Sequence, residues 1–264
     1  MTRITTTFDA LKSKNRKGLI TFIMGGDPDF DTSVEILKSL PDAGADLIEI
    51  GMPFSDPMAD GPVIQEAAIR ALNAGMTLTK TIEMVRQFRQ ENQTTPIILM
   101  GYSNPIHAYG EALFFRDIAT AGADGVIIVD APPEEGVELN NLAIQNQIDL
   151  IRLATPTTDL DRLDHIIDGA GGFLYYVSIT GVTGTASADI QKVEAHIKSL
   201  KTKTALPIAA GFGIKTPEDA QKMSAISDAV VVGSALVNTI KNTPKSEVVS
   251  TLKRQILALS NALG

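Results

Sequence analysis

The chain has 264 residues, 44% hydrophobic and 20% charged, so it can bury a large core without staples, and it has no cysteine to form any. The lack of cysteine excludes disulfides, thiolate nucleophiles and Cys-type zinc sites. A formal net charge of −8 without a basic run argues against nucleic acid. With no apolar leader and no membrane-length apolar stretch, the sequence predicts a soluble, cytoplasmic protein that does not contact a membrane.

A helix over Thr6–Lys14 comes first and is expected to close the floor of a barrel. Short apolar runs then recur at Leu19–Met24, Leu47–Ile50, Ile97–Met100, Val126–Val129, Leu150–Leu153, Leu174–Val177, Pro207–Ala210 and Ala229–Val232. They are mostly apolar rather than alternating, as parallel strands covered on both faces should be. Helix-period stretches lie between them, among them Ser33–Leu40, Val63–Ala74, Leu78–Phe88, Leu113–Ala121 and Ala188–Leu200, and Lys245–Leu263 is the last helix. This pattern predicts a single-domain (β/α)8 barrel, with a doubly wound sheet as the alternative. The turns Ala43-Gly44-Ala45-Asp46 and Ala121-Gly122-Ala123-Asp124 resemble one another, which suits internal repetition of barrel quarters or halves.

A carboxylate, Glu49, interrupts the second run just before Gly51. A buried acid loses hydration, so it is hydrogen-bonded, protonated or used. The loop that follows carries Pro53, Asp56, Pro57 and Asp60. A carboxylate at a strand end with another in the loop behind it suits proton transfer, and barrels of this class keep their chemistry at the C-terminal strand ends. The excursion through Val63–Ala74 is long enough to be a lid or a partner surface.

Glycine-bearing segments follow the last three runs: Gly181-Val182-Thr183-Gly184-Thr185, Gly211-Phe212-Gly213 and Gly233-Ser234. In such barrels these loops and a short helix N-terminus bind phosphate through backbone amides, which lets an acidic protein hold a dianion. Turn formation alone is the other reading of these glycines.

The stretch Ile48–Gly61 resembles the signature of the tryptophan synthase alpha chain family. The resemblance extends to Gly26-Asp27-Pro28, Met100-Gly101-Tyr102-Ser103-Asn104-Pro105, Asp130-Ala131-Pro132-Pro133-Glu134-Glu135, Gly181–Thr185, Ala210–Ile214 and Val232-Gly233-Ser234, and so covers nearly the whole chain. It implies retro-aldol cleavage of indole-3-glycerol phosphate to indole and glyceraldehyde 3-phosphate. Glu49 would handle the C3 and hydroxyl protons, Asp60 would hold the ring N–H, and Tyr175 or the adjacent Tyr176 would donate a hydroxyl. Phe22, Leu99, Tyr102, Ile128 and Phe212 could line an apolar slot for the indole, and Thr183 would close over it. The resemblance also implies a tryptophan synthase beta chain as partner, docked at Pro53, Asp56 and Pro57 in an alpha2-beta2 heterotetramer. Pyridoxal phosphate would belong to that partner, with no cofactor and no metal in this chain. Met52, Gly25 and Ser187 depart from residues frequent in the family.

The residues also weigh against other barrel chemistries. No run ends in a lysine for a Schiff base, and His107, His165 and His196 are too scattered for metal ligation or for a strand-end Glu–His isomerase pair. A stand-alone lyase and a non-catalytic activating subunit stay open beside the subunit of an alpha-beta complex.

Overall fold

The computed structural model describes the chain except residues 1, 135, 178–185 and 212 and the side chains of residues 186–189. In chain order, α1 (Arg3–Ser13) leads to β1 (Gly18–Met24), α2 (Phe30–Ser39), β2 (Leu47–Gly51), α3 (Pro62–Asn73), α4 (Leu78–Glu91) and β3 (Ile97–Gly101). Next come α5 (Ser103–Tyr109), α6 (Glu111–Ala121), β4 (Gly125–Ile128), α7 (Val137–Gln145), β5 (Asp149–Leu150), β6 (Arg152–Ala154) and α8 (Leu160–Ile167). The chain finishes with β7 (Leu174–Val177), α9 (Ala186–Leu200), β8 (Ile208–Gly211), α10 (Pro217–Ser224), β9 (Ala229–Val232), α11 (Ser234–Asn242) and α12 (Lys245–Asn261).

All ladders are parallel, and the strand order is β5-β4-β3-β2-β1-β9-β8-β7-β6. The two ends of that series are consecutive pieces of one run, so the sheet curls into a nearly closed (β/α)8 barrel and not an open doubly wound sheet. The run expected as one strand, Leu150–Leu153, is divided at Ile151. Its first half pairs with β4 and its second half with β7, because the two neighbouring ladders are offset along it.

Alternation along the strands separates two cores. Ile20, Leu47, Ile98, Ile127, Ile151, Phe173, Ala209 and Val231 point into the barrel, while Ile48, Leu99, Val126, Ile128, Val230 and Val232 point to the helices. Helix α1 lies against the inner cluster. Ile4 and Phe8 of α1 join the inner cluster, with the Phe8 and Phe173 rings 5.8 Å apart.

The repeated small-residue turns end in a shared clasp. Asp46 donates its N–H to the Leu19 carbonyl (2.9 Å) and accepts the Leu19 N–H on its carboxylate (2.8 Å). Asp124 does the same with Ile97 (2.8 and 2.7 Å), and Asp228 with Ile208 (2.8 and 2.9 Å). Each acid thus extends the ladder of a preceding strand by one side-chain bond. Each is also paired with a cation: Arg16, Arg89 with Arg3, and Lys201 respectively. Charge-assisted bonds of this kind tie the floor together and leave the opposite rim free for chemistry.

Candidate active site

Glu49 sits in β2 one step above Leu47 of the inner core, level with Phe22 of β1. It is completely buried, and neither carboxylate oxygen has a hydrogen-bond partner among the described residues. Burial alone pushes its pKa up to about 8, so near neutrality the group carries its proton. A buried, protonated acid with neither oxygen partnered among the described residues is poised to donate.

Asp60 comes from the loop after β2. Burial pushes its pKa up to about 6, and a hydrogen bond from the Tyr102 hydroxyl pulls it partly back. Tyr102 lies just beyond β3 and also accepts the Ala59 N–H (3.1 Å), while its ring packs against Phe54 at 5.6 Å. Helix α3 holds the same loop from behind, since the Gln65 side-chain amide donates to the Asp60 carbonyl (2.8 Å). Arg70, one turn before the end of α3, forms a two-point pair with the fully buried Asp27 beyond β1 (2.8 and 2.7 Å). Asp27 needs that partner, because its desolvation would otherwise cost several kcal/mol, on the order of a broken buried pair.

Of the two adjacent tyrosines, Tyr175 packs with the inner cluster and Tyr176 with the outer one. The pKa of Tyr175 is pushed well up, first by burial and then by the charges of Glu49 and Asp60, so the three groups share one electrostatic chamber. Tyr176 instead meets His196 Nδ1 at 3.1 Å, and His196 Nε2 meets the Thr158 carbonyl at 2.7 Å. Gly211 at the top of β8 makes room for the inner tyrosine: a Cβ there would fall on the Tyr175 hydroxyl and within 2.9 Å of the ring.

Two of the residues expected in the apolar slot are elsewhere. Leu99 and Ile128 lie on the helix-facing side of the sheet, within the outer core. The strand phase that puts Ile98 and Ile127 inside turns their successors outward, and it brings Met100, Val129 and Leu153 to the inner side instead. Phe22 and Tyr102 stay near the acids. Phe212, Thr183 and Gly184 fall outside the described residues, as does the side chain of Ser187.

Across the mouth, Gly213 takes a left-handed turn at φ +55°, and Gly233 precedes Ser234, the first residue of α11. The first-turn N–H groups of α11 have no acceptor within the helix and carry its positive dipole end. On the outer side, Pro53 and Pro57 are half-buried and Asp56 is exposed. Beside them Met58 is 84% exposed, an apolar tip that the sequence reading passed over.

Among the described residues, no cluster of three His, Asp or Glu side chains could hold a metal ion, and no helix is long and apolar enough to cross a membrane. A cavity of about 620 Å³ between α1 and the turn before β8, lined by Phe8, Lys12 and Leu206, lies at the floor. Asp228 and Lys201 of the floor clasp line it, at the end of the barrel opposite to Glu49 and Asp60, so size alone does not mark the chemistry.

Comparison with known proteins gives a consistent result. The family model described as tryptophan synthase alpha chain matches residues 8–262. The chain is similar to tryptophan synthase subunit alpha from Legionella pneumophila str. Paris, at 39% identity and a TM-score of 0.93, covering 100% of this chain and 98% of that one. A solved chain from Aquifex aeolicus VF5 gives 34% identity and a TM-score of 0.91, with 100% and 99% coverage. A chain of Mycobacterium tuberculosis tryptophan synthase gives 31% identity and a TM-score of 0.90, with 99% and 98% coverage.

Proposed function

The chain belongs to the tryptophan synthase alpha chain family, whose reaction is the aldol-type cleavage of indole-3-glycerol phosphate, and we propose that Glu49 and Asp60 carry that reaction here. The observation that supports it most is the fully buried, unpartnered Glu49, held protonated in the chamber that Asp60 and Tyr175 also face.

The phosphate rests on the amides of Gly211, Gly213, Gly233 and Ser234, at the N-terminus of α11. With Gly184 contributing from the loop after β7, this fixes one end of the substrate, while Phe212 belongs with the residues lining the indole and Thr183 closes over the site. The indole lies in the apolar chamber by Phe22, Tyr102 and Met100. Asp60, ionised above about pH 6, accepts the ring N–H and stabilises the positive charge that develops there. That attraction is stronger in a water-poor pocket than in solvent. Glu49 gives its proton to indole C3. The resulting carboxylate then takes the side-chain hydroxyl proton as the carbon–carbon bond breaks, so Glu49 ends the turnover as it began. Tyr175 donates its hydroxyl toward that carboxylate.

Indole then passes to a tryptophan synthase beta chain, which carries the pyridoxal phosphate, in an alpha2-beta2 assembly. The loop with Pro53, Asp56, Pro57 and the exposed Met58 is the docking surface, because two prolines limit what the loop loses in freedom on binding. Indole release from indole-3-glycerol phosphate, measured with and without beta chain, tests this. Turnover by the chain alone that rises with the partner supports the paired enzyme. Turnover that the partner leaves unchanged supports a stand-alone lyase, and none in either case supports an activating subunit.

A further inference from the structure

Arg152 is the second charge placed inside an apolar strand run, and the reaction above does not use it. Its neighbours Ile151 and Leu153 face the barrel interior, so its side chain leaves the sheet on the helix side, where it is 5% exposed. There it donates to the Ala131 carbonyl through Nη1 (3.2 Å), and among the described residues its Nε has no partner and no carboxylate pairs with it. A buried guanidinium without a counter-ion is costly, and burial pulls its pKa down with nothing opposing the shift.

The guanidinium lines a crevice. The ladder of β4 runs along β5 and ends at the Ile151 N–H bond to the Val126 carbonyl (3.0 Å), and no register pair joins β4 to β6, so the wall is thinly bonded between them. The gap holds a cavity of about 290 Å³ under the 130–133 turn, with Ile128, Pro132, Pro133 and Ile166 as apolar walls and Arg152 and Arg162 as its cations. Arg162 forms an ion pair with Glu134 at the rim. Asp130, the acid lining the cavity, is engaged by the Ser103 N–H (2.7 Å) and hydroxyl (2.9 Å).

We infer that this crevice is a second binding site, in which Arg152 holds the carboxylate or phosphate group of a small molecule whose apolar part packs on Ile128, Ile166 and the two prolines. An oxyanion supplies what Nε of Arg152 lacks among the described residues, a planar acceptor that a guanidinium can grip at two points. Val129, Ile151 and Leu153 of the inner face also line the cavity, but Arg152, Ile128 and Ile166 belong to the helix side, so an anion on Arg152 is held on the face of the sheet opposite to Glu49.

The test uses the intact chain with 15N-labelled arginine. The Arg152 Nε–H resonance, assigned by its loss in Arg152→Met, is followed as sodium phosphate or sodium acetate replaces chloride at constant ionic strength. The inference expects a saturable shift with a Kd of about 1 mM or tighter. Phosphate alone acting identifies a phosphate-bearing ligand, and acetate acting identifies a carboxylate. Arg152→Met keeps the volume and removes the buried charge, so it should fold. The rise in Tm produced by the anion should then be larger in the parent than in this variant, because phosphate held at the strand ends affects both alike. An unmoved or non-saturating resonance, or equal Tm rises, would overturn the inference. So would a resonance that shifts in Glu135→Gln but not with added anion, since a Cβ on Gly136 would lie 3.0 Å from Arg152 Nη2 and its chain neighbour Glu135 would then be the counter-ion.

Discussion

The Tyr102 hydroxyl accepts the Ala59 N–H at 3.1 Å and donates to the Asp60 carboxylate, so one side chain beyond β3 fastens the loop that follows β2. Tyr102→Phe keeps the ring against Phe54 and removes both bonds. A hydrogen bond to a charged group is worth ~1.5–3 kcal/mol, so Tm should fall by about several degrees and kcat/KM by about tenfold or more. Steady-state indole release measures it, and an unchanged kcat/KM would give Tyr102 a merely lining role.

The pH profile follows from the two acids. Asp60 must be ionised and Glu49 protonated, so kcat/KM should rise through about pH 6 and fall through about pH 8. The Tyr102 bond lowers the Asp60 pKa, so Tyr102→Phe should move the acidic limb to higher pH. A profile flat between pH 5 and pH 9 would contradict both assignments.

Glu49 also carries a stability signature. Its folded pKa of about 8 lies above the unfolded value of 4.5, so the native state binds its proton more tightly. The resulting stabilisation is complete below about pH 4.5 and is lost as pH rises to about 8, by on the order of a few kcal/mol. Glu49→Gln cannot ionise, so relative to the parent it should gain stability as pH rises across that window. Urea unfolding of both at several pH values reads the difference, and parallel curves would mean that Glu49 is not held protonated.

Gly211→Ala tests the placement of Tyr175. The added methyl falls on the Tyr175 hydroxyl, so the ring must move, at a cost of ~1–3 kcal/mol for an overfilled site. The variant should fold and lose most of its turnover. Parental kcat would remove Tyr175 from the catalytic group.

The barrel was legible because each strand is a short apolar run and each helix an amphipathic one. Glu49, Asp60 and the glycine-bearing loops stood out for the same reason, as residues that break those patterns. What the runs hid was their phase. In a strand apolar on both faces nothing marks which residues point inward, so Leu99 and Ile128 were expected in the chamber where Met100 and Val129 lie, and Tyr175 could not be told from Tyr176. The Asp228 clasp escaped because its turn lacks the glycine of the other two. Arg152 did carry a readable signal, a charge within Leu150–Leu153, of the kind that drew attention to Glu49. Tyr102 reads as an aromatic wall, and only the fold shows its hydroxyl fastening the loop.

The most direct test of the account is indole release from indole-3-glycerol phosphate by the purified chain and by Glu49→Gln, with binding of a glycerol phosphate measured in parallel. The parent should turn over; the variant should bind the phosphate equally well and release no indole above background. Indole release by Glu49→Gln at the parental rate would contradict the claim that this buried acid moves the protons.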